Sequence, residues 1–231
     1  MIFFWIMSFL VIGLFIFAIT NSVRYNRRRE FIATAVYPAS AMRDLAKHHP
    51  YLTERQRRLV ADGLTQYFQV YHKSGYKFIA MPSQVVDDLW HAFILDTRAY
   101  KAYCDQAFGR FLHHTPAVSM SRAKKTNEGL RRVWWHACTL EKLDPRTTKT
   151  LPLLFNLDSR LNIPGGYRYT PDCSALRAAG VPGTQCGGDF TSTAFDGSTA
   201  GFNDSASSDG SGSADGGSSD GGGGCGGGGG D

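Results

Sequence analysis

Asp87 and His91 stand four residues apart in a segment with helical periodicity, which puts a carboxylate and an imidazole on one helix face. Roughly one helix further along the chain come His113 and His114, closing the run FGRFLHH. Two helices packed antiparallel through a turn would bring this second pair towards His91, as metal sites in helical bundles require. Asp87 and His91 with His113 or His114 form a nitrogen and oxygen donor set, suited to a divalent transition metal such as zinc or iron. A plainer reading competes with it. Both histidine pairs precede a proline (His48-His49-Pro50, and His113-His114 before Pro116), where basic groups can satisfy the last carbonyls of a helix. Asp87 in a first helical turn is likewise favoured by the dipole, and His91 beside Trp90 could be a hydrogen-bonded core residue.

Several common chemistries are excluded by motif. The chain has no HExxH helix, no GxSxG elbow, no Walker loop and no GxGxxG ahead of a helix. Its five cysteines (104, 138, 173, 186 and 225) contain no CxxC pair, so neither a zinc ribbon nor a thioredoxin-type motif is present. Cys104 and Cys138 fall on apolar helical stripes and read as reduced core residues.

The elements that must position the Asp/His cluster follow from periodicity and capping. One short helix is expected from about Ser40 to His48, ended by Pro50. Thr53 with Gln56 forms a capping-box pattern, and Leu59, Val60, Leu64, Tyr67, Phe68 and Tyr71 carry a helix to about His72. Ser83 is the expected N-cap of the helix bearing Asp87 and His91, whose apolar stripe is Val86, Leu89, Trp90, Phe93 and Ile94. Asp96 or Thr97 caps a continuation through Tyr100, Tyr103, Cys104 and Phe108, interrupted at Gly109. A last helix is expected from about Ser121 to Leu140. From Leu151 onward the mixture of apolar residues with Pro and Gly reads as an ordered extension over the helices. No segment alternates as a strand would, so the fold class is all-α.

The two ends differ from this body. Ile2 to Thr20 is nineteen residues without a charge, roughly 28 Å as a helix, enough to cross the hydrocarbon of a bilayer. A cleavable signal peptide would want a basic n-region and a shorter core, so a membrane anchor over residues 1–22 is expected. Arg24, Arg27, Arg28 and Arg29 follow it, at positions to touch anionic head groups in a basic juxtamembrane linker over 23–36. By the positive-inside rule they place the C-terminal side in the cytosol. The helical domain then spans 37–178, and a disordered Gly/Ser/Asp-rich tail spans 179–231, too poor in apolar residues to offset its ordering entropy. Seven aspartates and no basic residue follow Arg177, so removing them from the net charge of +5 leaves +12 for the rest. Such a body suits an anionic membrane surface; nucleic acid is not an expected partner, because no recognisable binding module accompanies the charge.

The stretch MPSQVVDDLWHAFILDTRAYKAYCDQAFGRFLHHTP (81–116) resembles the glycine-rich domain-containing protein-like family of bacterial membrane-anchored proteins. It is more distantly similar to plant glycine-rich-domain proteins around an Asp-Leu-x-Trp-His motif. LTERQRRLVADGLTQYF (52–68) and LPLLFNLDSRLNIPGGY (151–167) extend the resemblance over roughly residues 50 to 173. It implies that Trp90-His91 and His113-His114 belong to one signature and carries no activity with it. Three functional readings follow: a single-pass interaction or sensing module on the cytosolic face of a bacterial inner membrane, with a protein partner; a metal-binding protein or small metalloenzyme; and a binder of anionic lipid or nucleic acid through the basic body.

Overall fold

The computed structural model describes residues 2–114, 123–171 and 185–186. These form seven helices and one two-residue parallel pairing, and the fold is mostly helical. Helix α1 (Ile2–Thr34) is long and apolar enough to cross a membrane, and none of its apolar window is buried in the protein. Then come α2 (Ala39–His48), α3 (Glu54–Lys73), α4 (Gln84–Leu95), α5 (Thr97–Ala107), α6 (Ala123–Leu140) and α7 (Leu153–Arg160). The pairing joins β1 (Tyr169–Thr170) to β2 (Gln185–Cys186). The tail expected to be disordered lies, apart from β2, outside the described residues.

The caps form as their residue types dictate. Thr53 and Gln56 make the reciprocal capping box of α3. The Ser83 hydroxyl accepts from Val86 N at the start of α4, and Asp96 accepts from Ala99 N at the start of α5. α3 is the central helix, packed against α1, α2, α4, α6 and α7. It packs tightly at Gly63, where an added Cβ would stand 2.4 Å from Leu157 Cδ1 and 2.9 Å from Val86 Cγ2. Only glycine lets α4 and α7 come so near. Val60, Leu64, Phe68, Val86, Leu89, Phe93, Tyr100, Cys104, Trp134 and Leu157 are all buried in the resulting core. Cys104 and Cys138 are buried and free, as expected for core thiols.

Two elements depart from the sequence-based expectation. Residues 23–34, expected as a linker, continue α1 without a break. One face of this stretch packs on the domain: Ile32 is fully buried, Phe31 meets Tyr103 with ring centroids 5.4 Å apart, and Tyr25 stacks on His72 at 4.4 Å. Arg28 turns inward to donate to the Tyr76 hydroxyl at 3.2 Å, whereas Arg24, Arg27 and Arg29 are exposed. Burial, and then the charges of Arg28 and Arg29, lower the pKa of His72 in this contact. The second departure is α7, expected only as an irregular extension. Its first amides are capped from a distance, Leu153 N donating to Glu141 Oε1 at 2.7 Å and Leu154 N to Gln66 Oε1 at 3.1 Å. No local residue signals that helix start.

A well-connected buried carboxylate belongs to α7. Asp158, 2% exposed, accepts from Ser83 Oγ (2.7 Å), Gln84 N (2.7 Å), Val85 N (3.3 Å) and Tyr167 N (2.8 Å). It thereby caps α4 from another helix and ties down the segment after α7. Asp158→Ala strands these donors in a buried site, and we expect it to destabilise the protein by about 3 kcal/mol. Urea unfolding of the full chain in detergent measures this, and a loss within about 0.5 kcal/mol, the range of an inert surface change, would refute the capping role.

Candidate functional site

α4 begins at Ser83 and presents Asp87 in its first turn, with His91 one turn on, opposite the buried stripe of Val86, Leu89, Trp90 and Phe93. The third member comes from the chain returning after α5. At Gly109 the backbone takes a φ of +67°, which favours glycine, and the Arg28 guanidinium packs against the space a Cβ would occupy. From there residues 110–114 run back beside α4. Trp90 Nε1 donates to the Tyr100 hydroxyl at 3.1 Å, and that hydroxyl donates to the Leu112 carbonyl at 2.6 Å. This two-bond chain holds the returning segment in register, so that His114 packs against the Trp90 ring with centroids 4.6 Å apart.

The result is a compact cluster. His114 Nε2 lies 2.9 Å from Asp87 Oδ1, and His91 Nδ1 lies 3.6 Å from Asp87 Oδ2. The two imidazole centroids are 4.2 Å apart. One ligand atom from each of Asp87, His91 and His114 falls within 4.8 Å of the others. Around a metal with ligands about 2.0–2.2 Å away, donor atoms stand at most about 4 Å apart. The set as it stands is slightly wider than that, and His91, whose side chain is 50% exposed, is the most exposed of the three. His113 stays out of the cluster: its ring stacks on Phe111 at 4.8 Å instead. Of the four candidate residues, three converge and one does not. Neither histidine of that pair caps a helix, because α5 has already ended at Ala107.

Behind the cluster lies a cavity of about 250 Å³. Asp87, His113 and His114 line its polar side, and Tyr67, Tyr71, Tyr76, Phe78, Trp90, Phe111 and Tyr167 supply aromatic walls. Burial, reinforced by the Asp87 charge, raises the pKa of Tyr67, and the same two causes raise that of Tyr167, so both phenols remain protonated at neutral pH. Sequence reasoning did not single out these tyrosines, because their helical spacing is that of ordinary core residues. It also missed a second pair on the adjacent residue of α4. His49 Nε2 lies 2.8 Å from Asp88 Oδ2, and its Nδ1 lies 2.9 Å from the Tyr51 hydroxyl. Both ring nitrogens of His49 are engaged within the protein, which makes it a structural tie between α2 and α4. The Asp87-Asp88 doublet was the only available hint.

In comparison with known proteins, the model of a family described as UCP032817-like matches residues 27–190. No curated protein and no solved structure matches. The matched region includes the inward-turned end of α1 and every residue of the cluster.

Tyr100→Phe removes the link between Trp90 Nε1 and the Leu112 carbonyl and leaves both without a partner. We expect a stability loss of about 1–3 kcal/mol. With it, the ring resonances of His114 should shift in histidine-selective NMR while those of His49 stay in place. Unchanged His114 resonances would show that this chain does not position it.

Proposed function

The chain belongs to the UCP032817-like family, and we propose that it is a membrane-tethered metal-binding domain in which Asp87, His91 and His114 hold a divalent transition metal. The observation that carries this reading is the convergence of three ligand atoms, from two separate segments, within 4.8 Å. Two imidazoles and one carboxylate match zinc or non-haem iron in donor chemistry. Three protein ligands leave coordination positions free, as in catalytic rather than structural sites, and the aromatic cavity adjoins them. A metal held there would act as a Lewis acid on a bound donor atom or lower its pKa. The protein's part is to orient the ligands: α4 fixes Asp87 and His91 by one helical turn, and the Trp90–Tyr100–Leu112 chain fixes His114.

The same reading puts the domain at a membrane. α1 is the one helix among the described residues long and apolar enough to span a bilayer, and its end is continuous with the domain. The four arginines after the apolar run support a cytosolic domain, and the likeness to bacterial glycine-rich domain-containing proteins supports a bacterial inner membrane. A thiol reagent that cannot cross membranes should then label the tail cysteines only after spheroplasts are permeabilised. Labelling of intact spheroplasts would reverse the orientation.

Elemental analysis of the full chain, purified in detergent without a histidine tag, tests the metal centre. We expect close to one equivalent of zinc or iron. Loss of a supporting residue around a metal ligand commonly costs 10–100-fold in affinity, so His91→Ala or His114→Ala should cost at least about 100-fold. His113→Ala should leave the metal in place. His91 is half exposed, so its removal should leave the helical circular dichroism unchanged. A folded, metal-free protein that takes up no added Zn²⁺ or Co²⁺ would refute the reading.

A further inference from the structure

Resting on the metal-centre reading, the composition of the cavity says what would approach that metal. Among its lining residues there is no lysine or arginine, and Asp87 is the only carboxylate. A phosphorylated or multiply anionic ligand would therefore meet no ammonium or guanidinium group once inside, only the imidazoles of His113 and His114. A cationic ligand is disfavoured for a different reason. It would enter beside a divalent metal, and the Tyr76 ring is already covered by the Arg110 guanidinium at 4.9 Å. What the walls offer is aromatic surface from Tyr71, Phe78, Trp90 and Phe111. Offset or edge-on ring packing is the favourable contact for such surface. At about 250 Å³ the space is smaller than the roughly 300–1,000 Å³ that holds drug-sized ligands, so one ring fits better than two.

We infer that the cavity binds a single-ring, uncharged aromatic alcohol, a phenol in the simplest case, with its ring among Tyr71, Trp90 and Phe111 and its oxygen on the metal held by Asp87, His91 and His114. Coordination moves one proton, from the phenol oxygen to solvent, as the metal lowers the pKa of the bound oxygen. No oxidant enters and no bond other than O–H is broken. The Tyr67 hydroxyl is already committed to the Ile79 carbonyl at 3.3 Å, so it is wall rather than reactant. Tyr167, more than a third exposed, stands where the cavity meets solvent.

The test uses the full chain in detergent, loaded with Co²⁺, and 4-fluorophenol observed by fluorine NMR. We expect saturable binding, with a paramagnetic shift that is absent from the Zn²⁺-loaded protein although binding persists there. Fluorobenzene, which lacks the oxygen, should bind more weakly, and 4-fluorophenyl phosphate and a fluorobenzyl trimethylammonium ion should bind more weakly still. Phe111→Ser, at a partly exposed wall position, should weaken 4-fluorophenol about fivefold while leaving Co²⁺ uptake intact. If Co²⁺ binds but 4-fluorophenol does not, or if the phosphate ester or the ammonium ion binds more tightly, the ligand class is overturned and the metal centre stands. If the folded chain takes up no Co²⁺, the metal centre fails, and this inference falls with it.

Discussion

The arrangement of this domain depends on where the start of α4 is held, and a carboxylate from another helix holds it. Asp158 accepts hydrogen bonds from Ser83, Gln84 and Val85 around the first turn of α4 and from Tyr167 on its far side. A buried carboxylate is costly unless its oxygens are well supplied with donors. Four donors meet that requirement only when α4, α7 and the chain after α7 are all in place. The interaction is therefore conditional on the assembled fold. Once formed it fixes the axial position of α4, and with it the height at which Asp87 and His91 emerge.

From α4 the constraint passes outward in both directions. On one side Trp90 reaches through Tyr100 to the Leu112 carbonyl and sets His114 against Asp87. On the other, Asp88 holds His49 and so the end of α2. Two neighbouring aspartates thus serve different ends: Asp88 joins helices, while Asp87 faces a half-exposed and a mostly buried histidine. The difference is one of direction, since consecutive helical residues point about 100° apart.

The junction with α1 links the site to the apolar helix. Arg28 donates to Tyr76, a cavity wall, and also packs where any side chain at Gly109 would stand. The end of α1 is thereby part of the domain's structure. The turn that returns His114 to the site leans on a residue only eight positions beyond the apolar run. This coupling explains why a stretch with the composition of a solvated basic linker is helical: Tyr25, Phe31 and Ile32 bury one side of it against α3 and α5.

The sequence by itself determined what local rules govern. The all-α class, the caps at Thr53, Ser83 and Asp96, the buried thiols, the apolar N-terminal helix and the shared face of Asp87 and His91 all follow from spacing and residue type within one or two turns. Tertiary structure decided what depends on distant partners. α7 was illegible because its amides are capped by Glu141 and Gln66. Residues 23–34 read as linker because their apolar face is sparse and finds its partners far along the chain. His113 and His114 looked equivalent, since adjacent residues in an extended segment differ only in the side to which they point. The Gly109 reversal and the Tyr100–Leu112 bond turned His114 to Asp87, while His113 was left against Phe111.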